Sequence, residues 1–421
     1  MVDFEPYITN AIRTAAGQFD ALIETGRAGK CTDLRTEARI EGERKEEGGD
    51  AVLDAAKWNA YLAFDIIGDL AFGRSFGFCE AGWDTNGGIR KLRDRGEWAA
   101  TVGQIPWIKS EFFSVDMLFS VTIPSLHHSN PNVVLRIDNA PSAWTPYFIF
   151  DPFFIHGLQA AQALGRIGIA AVDRRKSSPQ DPNRKDILYW LLKAKDPDTG
   201  LPLPDREVKA EALTEMIAGS DTTGNTLTHI VDMLCRHPAA LKNLQKELDT
   251  AFPAPLPQSK SVAPFNQCKG LLYVQAVIYE TLRLRTTVSV GLPRVVKEGG
   301  AEVCGKWLEE GTVVSTPTYT VHRDERIWGK DALQFRPERW IITDDGKLRF
   351  HSELEKFFLG FSYGPRACIG RNVAFMELKK TVSTLFRRFD YRLVYPEMET
   401  WIREGFHLKC QELFVVIRKR E

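Results

Sequence analysis

The chain has 421 residues, 43% of them hydrophobic, and its 55 basic and 55 acidic side chains cancel to a formal net charge of zero. That length can bury a large core, and the charge balance argues against bulk nucleic-acid binding. No apolar run approaches the ~20 residues of a membrane-spanning helix, and the acidic start Met1-Val-Asp-Phe-Glu5 is unlike a signal peptide. Seven cysteines (Cys31, Cys79, Cys235, Cys268, Cys304, Cys368 and Cys410) show no CxxC pair, which fits a reducing compartment rather than a disulfide framework.

Residues 4–27 predict a helix with Ile8, Ile12, Ala15, Phe19 and Leu22 on one face. The charged residues 28–50, with Arg39, Glu41, Arg44 and Lys45, predict a solvated loop. Ala51 to Phe72 predicts a second, more apolar helix. Residues 111–145 carry neither helical nor strand period, and a structureless loop of that length is uncommon inside a compact domain. Its adjacent His127 and His128 read as exposed rather than as a metal site.

The spacing predicts a long helix over 205–236, opened by Pro204-Asp205 and closed before Pro238. Its middle is Ala218-Gly-Ser-Asp-Thr-Thr223, in which glycine, serine and threonine are poor helix formers and the hydroxyls can bond back one turn. A local opening that admits a small ligand and water is expected there. Residues 271–285 predict a further helix, on which Glu280 and Arg283 share a face. The apolar flanks Val277, Ile278, Leu282 and Leu284 imply that this pair is buried and fully hydrogen-bonded. Residues 288–296 and 312–318 predict strands. His322, in Tyr319-Thr-Val-His-Arg-Asp324, is assigned no chemistry.

The chain is organised around Phe361-Ser-Tyr-Gly364-Pro-Arg366-Ala-Cys368-Ile-Gly370. The pattern after it, with Ala374, Leu378, Val382 and Leu385 on one face, predicts a helix. A cysteine at a helix start is favoured as thiolate by the macrodipole and by free N–H groups. Gly364 and Gly370 permit a tight loop under a flat ligand, Pro365 stiffens it, and Arg366 can meet a carboxylate at the ligand's edge. A group that takes one axial thiolate and a cation for its propionates is haem.

This stretch resembles the signature Phe-x-x-Gly-x-Arg-x-Cys-x-Gly of cytochrome P-450 haem-thiolate monooxygenases, at all five fixed positions. Trp58 to Gly73, Arg95 to Pro106, Ala218 to Thr223, Ser289 to Arg294 and Phe361 to Ala374 resemble fungal benzoate 4-monooxygenases of that family. The resemblance implies a mainly α fold with a small β region, read as one domain over 1–421, with 111–145 as an insertion. It implies haem b as cofactor, with Cys368 as the iron ligand, Phe361, Arg366 and Gly370 in the cofactor loop and Arg294 as a second propionate partner. Ala218 and Gly219 would form the oxygen-binding groove, and Asp221 and Thr222 would relay protons to dioxygen. Glu280 and Arg283 would join Arg339, of Phe335-Arg-Pro-Glu-Arg-Trp340, in holding the haem-loop scaffold.

The implied reaction inserts one atom of dioxygen into a small organic substrate, with para-hydroxylation of benzoate as its narrowest form. A fungal secondary-metabolite oxidation, a peroxide rearrangement or a catalytically impaired fragment are the alternatives. Electrons must come from outside, since no flavin or nicotinamide fingerprint is visible, and the resemblance implies an NADPH-cytochrome P-450 reductase as their source. Full-length members sit at the endoplasmic reticulum membrane. This chain is expected to lack their anchor, first strands and helices A to C, with Met1 an internal start, and so to be soluble and cytoplasmic.

Overall fold

The computed structural model describes residues 2–25, 50–103, 152–177, 181, 183–253 and 262–420. Most of the loop expected at 28–50, and all of 111–145 with its two histidines, lie outside the described residues.

The architecture is mainly α. Helices α1 (Glu5–Thr25), α2 (Ala55–Phe72), α3 (Gly88–Gly103), α4 (Pro152–Ser177), α5 (Ile187–Lys193), α6 (Asp205–Arg236), α7 (Pro238–Ala251), α8 (Leu272–Leu284) and α9 (Arg371–Arg388) follow in order. Short antiparallel sheets complete it: β1 (Asp50–Asp54), β8 (Phe389–Leu393) and β11 (Phe414–Lys419) form one, in the order β1-β11-β8. The pairs are β2 (Arg294–Val295) with β5 (Val313–Val314), β3 (Ala301–Val303) with β4 (Lys306–Leu308), β6 (Ile341–Asp344) with β7 (Lys347–Phe350), and β9 (Ile402–Arg403) with β10 (Lys409–Cys410). No helix among the described residues is long and apolar enough to cross a membrane.

Three expectations change. The helix predicted from Ala51 starts at Ala55, because Asp50–Asp54 is instead a strand paired with β11, Val52 facing Val416. Asp54 makes the switch: its Oδ1 accepts from the backbone N–H groups of Ala56 and of Leu413, each at 3.0 Å, capping α2 and pinning the strand end. The strands predicted over 288–296 and 312–318 shrink to two residues each, bounded by Pro293 and Pro317, which cannot donate to a ladder. The long helix α6 runs uninterrupted through Ala218–Thr223. Ser220 Oγ donates to the Met216 carbonyl at 2.7 Å and Thr226 Oγ1 to that of Thr222 at 2.8 Å, so the hydroxyls bond back without breaking the helix.

The chain divides into two units. Residues 12–59 and 222–421 form the first, residues 2–11 and 60–221 the second. The first has α8 and α9 at its centre: Val274, Ala276, Val277, Ile278 and Tyr279 on one, and Met376, Leu378, Val382 and Phe386 on the other, are all buried. Phe19 packs edge-on against Trp58 and Phe389, at centroid distances of 5.3 and 5.8 Å, and closes one side of the three-stranded sheet's layer. In the second unit, Phe64, Phe72, Phe76 and Phe78 form an aromatic cluster at the end of α2. There α4 sits on α3 through Gly157, where a Cβ would stand 2.2 Å from the Trp98 ring, and on α6 through Gly168, against Leu213.

Candidate functional site

In the first unit, the Phe361–Gly370 loop is folded on itself before α9 begins. The Cys368 N–H donates to the Phe361 carbonyl at 2.8 Å, closing the loop, and the Cys368 carbonyl accepts from the Arg371 N–H at 3.3 Å. Gly364 takes φ 74° and Ser362 φ 58°, left-handed positions that let the chain double back. Gly370 does not need its glycine for this, since its φ of −75° is ordinary. A Cβ there would lie 3.8 Å from the Cys368 sulfur, so its absence leaves that flank of the thiol open.

Cys368 is exposed. Burial pushes the thiols of Cys79 and Cys410 up and that of Cys235 up to about 12, which keeps them neutral and inert. Two residues ahead, Arg366 is exposed and has no ion pair among the described residues, whereas Arg371 is engaged by Glu355 at 2.5 Å and by the Tyr279 hydroxyl at 2.9 Å. An accessible thiol beside an uncommitted guanidinium, in a glycine-flanked loop, is a donor set that fits a haem with its propionates. Phe361 anchors the loop from beneath, its ring 5.2 Å from that of Phe375 on α9. Arg294 lies in the exposed strand β2, and its guanidinium donates to the Pro293 carbonyl at 3.0 Å and that of Leu292 at 3.3 Å.

Behind the loop stands a buried ionic frame. Glu280 and Arg283 are fully buried, joined by two bonds of 2.8 Å. Glu280 also accepts from Arg339 Nε at 2.8 Å, the Arg336 N–H at 2.9 Å and Trp340 Nε1 at 2.9 Å. Arg283 spends its remaining donors on the carbonyls of His322, Ala332 and Gln334. The trio holds one carboxylate and two guanidiniums, and Asp331, 3.3 Å from Arg339 Nη2, supplies the second negative charge.

His322, assigned no chemistry from sequence, links this frame to the thiol loop. Its Nδ1 bonds to the Arg283 carbonyl at 3.1 Å, its Nε2 accepts from the Leu359 N–H at 2.8 Å, and its ring stacks on Phe358 at 5.3 Å. Burial, then the neighbouring Arg283 charge, lowers its pKa to about 3, so it stays neutral and can accept at Nε2. A second unforeseen group is Glu377 on α9, fully buried against the Thr223 hydroxyl of α6, its pKa pushed up to about 8 by burial.

From Thr222 onward α6 belongs to this unit. Thr226 Oγ1 and Thr287 Oγ1 lie 3.3 Å apart, and Asn225 bonds to the Leu408 carbonyl at 2.6 Å and to the Cys410 N–H at 3.0 Å. These bonds fix Thr222's helix to the segment after α8 through Thr287 and to the start of β10 through Leu408 and Cys410. Ala218, Gly219 and Asp221 belong to the second unit, where a Cβ on Gly219 would meet Ile67 of α2 at 2.8 Å. Ala218 is exposed and Asp221 half-buried.

The sequence profile described as Cytochrome P450 matches residues 140–411, and the chain belongs to the cytochrome P450 family. It is an oxygenase of the monooxygenase type, as its relatives are named. Among them, benzoate 4-monooxygenase bphA of Aspergillus niger is 36% identical over 437 residues, 99% of this chain and 72% of the relative. A cytochrome P450 monooxygenase of Aspergillus terreus is 30% identical over 93% of this chain and 68% of its own length. Another, atr2 of Stereocaulon alpinum, is 29% identical over 88% of this chain and 63% of its own length.

Proposed function

We propose that the chain is a haem-thiolate monooxygenase that hydroxylates a small aromatic acid, with benzoate and its para position as the specific case. The observation that carries the chemistry is the exposed Cys368 in its closed loop, with Arg366, unpaired among the described residues, two residues ahead. The substrate follows from likeness to a benzoate 4-monooxygenase along almost the whole chain.

Cys368 Sγ would hold the iron of haem b, and Arg366 would neutralise a propionate, with Arg294 freed from its backbone carbonyls to meet the other. When bound, the haem supplies the activation of dioxygen that side chains cannot perform. The loop's closing bond holds the sulfur in place, and the Glu280–Arg283–Arg339 frame with His322 holds the loop. Asp221 takes a proton at its carboxylate and Thr222 passes one at its hydroxyl towards the reacting oxygen. The small, exposed Ala218 would leave room for dioxygen beside the helix, whereas the space at Gly219 is taken by Ile67 of α2. Electrons would arrive from an NADPH-cytochrome P-450 reductase.

The test is turnover of the haem-loaded chain with such a reductase, NADPH and benzoate. Formation of 4-hydroxybenzoate with matching dioxygen consumption is expected. Turnover of bulky terpenoid or polyketide substrates, with none of benzoate, contradicts the substrate assignment.

A further inference from the structure

Within the first unit, four buried polar atoms lack a hydrogen-bond partner among the described residues where α6 meets the segment after α8. They are His229 Nδ1 and Asp232 Oδ2 on the helix, and Arg285 Nε and Thr286 Oγ1 on the segment. His229, Asp232 and Thr286 are each 0% exposed, and Arg285 is half-buried. A buried polar atom left unanswered carries the desolvation cost of its group, so four of them together call for a shared partner.

The bonds around them bring the four groups to one place. His229 and Asp232, three residues apart, share a face of α6. The Leu408 carbonyl lies 3.2 Å from His229 Nε2, and the Leu408 N–H donates to the Thr287 carbonyl at 3.0 Å. One turn earlier on α6, the Thr226 and Thr287 hydroxyls are 3.3 Å apart. Residues 285–287 therefore run against α6 beside His229. The charges of Arg285 and Asp232 both act on the His229 ring, and both act on the buried Cys410 thiol two residues beyond Leu408. Asp54, which also acts on Cys410, has Lys57 at 3.5 Å and stands outside the set.

Their chemistry selects the partner. A carbonyl only accepts, so His229 Nε2 carries the ring proton towards Leu408. Burial lowers the pKa of the ring to about 4 and keeps it neutral, which leaves Nδ1 as an acceptor. Asp232 Oδ1 takes Arg236 Nε at 2.8 Å, and Oδ2 remains a second acceptor. Arg285 Nε can only donate, and the Thr286 hydroxyl has a proton to give. Two acceptors and two donors match the two protons and two lone pairs of one water. A cation would be opposed by the arginine, and an anion by the carboxylate.

We infer that α6 and residues 285–287 hold a buried water site. One water there donates to His229 Nδ1 and Asp232 Oδ2 and accepts from Arg285 Nε and Thr286 Oγ1. Four polar partners are enough to hold a water inside a fold. The water fastens the segment to α6 one turn beyond the Thr226–Thr287 contact, and so helps to fix the helix that carries Thr222.

The test is a crystal structure of the haem-loaded chain, with denaturant unfolding of variants beside it. One ordered water, about 2.7–3.2 Å from each of the four atoms, is expected. A direct bond from Arg285 to Asp232 or His229, an ion with an anomalous signal, or no density between the four overturns the inference. In solution, Thr286→Val keeps the side chain's shape and removes one donor, and should raise the unfolding constant about 3–10-fold. Combined with Asp232→Asn, its effect should depart from the product of the two single effects by more than about twofold, because the shared water links these side chains. Effects that simply multiply, or a Thr286→Val variant as stable as its parent, overturn it as well.

Discussion

Glu280 and Arg283 face each other in a fully buried, two-bonded pair with both contacts at 2.8 Å. Five donors converge on the Glu280 carboxylate, from Arg283 twice and from Arg336, Arg339 and Trp340. Glu280→Ala would leave Arg283 buried without its anion, with Arg339 keeping only Asp331, a loss of roughly 3–5 kcal/mol. Denaturant unfolding should show that loss, together with failure to accumulate haem-loaded protein. A variant as stable as its parent would contradict the frame's role.

Gly157 is fixed by contact rather than by backbone angle. A Cβ there would stand 2.2, 2.3 and 2.6 Å from atoms of the Trp98 side chain. Gly157→Ala should cost roughly 1–3 kcal/mol by overpacking. Adding Trp98→Leu should remove most of that penalty, so that the pair couples strongly in a double-mutant cycle. Additive losses would show that α3 and α4 do not meet there.

Buried titrating groups set the pH range of stability. The pKa values of His229 and His322 fall to about 4 and about 3 against an ordinary 6.5, in both cases chiefly through burial. Below 6.5 the unfolded chain therefore binds protons that the fold refuses, and stability falls by about 1.4 kcal/mol per pH unit for each histidine. That loss runs down to about 4 for the first and about 3 for the second. Glu377 acts in the other direction: its pKa is raised from 4.5 to about 8, so its contribution is complete below 4.5 and lost as pH rises through 8. Glu377→Gln should accordingly gain roughly 2–4 kcal/mol on its parent at pH 8 and little at pH 4.5. Unfolding free energies across pH 4–8 check both signs, and a flat profile would contradict them.

Thr222→Ala should retain haem and substrate binding but uncouple electron use from product, releasing peroxide, while Thr222→Ser recovers most of the coupling. The ratio of product formed to NADPH consumed is the readout. Unchanged coupling in the alanine variant would place the proton delivery elsewhere.

Much of this was legible in the chain, and the failures have physical causes. The long helix α6 could be bounded because Pro204-Asp205 and Pro238 punctuate it locally. The thiol loop was readable because glycine, proline, arginine and cysteine act there at short range. Strand β1 was not, since Asp50–Asp54 is a strand only through pairing with β11 at the far end of the chain. His322 looked inert because its partners, the Arg283 carbonyl and the Leu359 N–H, are backbone atoms that no side-chain pattern announces.

The central claim is that Cys368 is the haem ligand. The direct measurement is the carbon monoxide difference spectrum of the reduced, haem-reconstituted chain beside that of Cys368→Ala. The account predicts the red-shifted thiolate band in the parent and its loss in the variant. A thiolate band that survives Cys368→Ala, or a parent that binds haem without one, would contradict it.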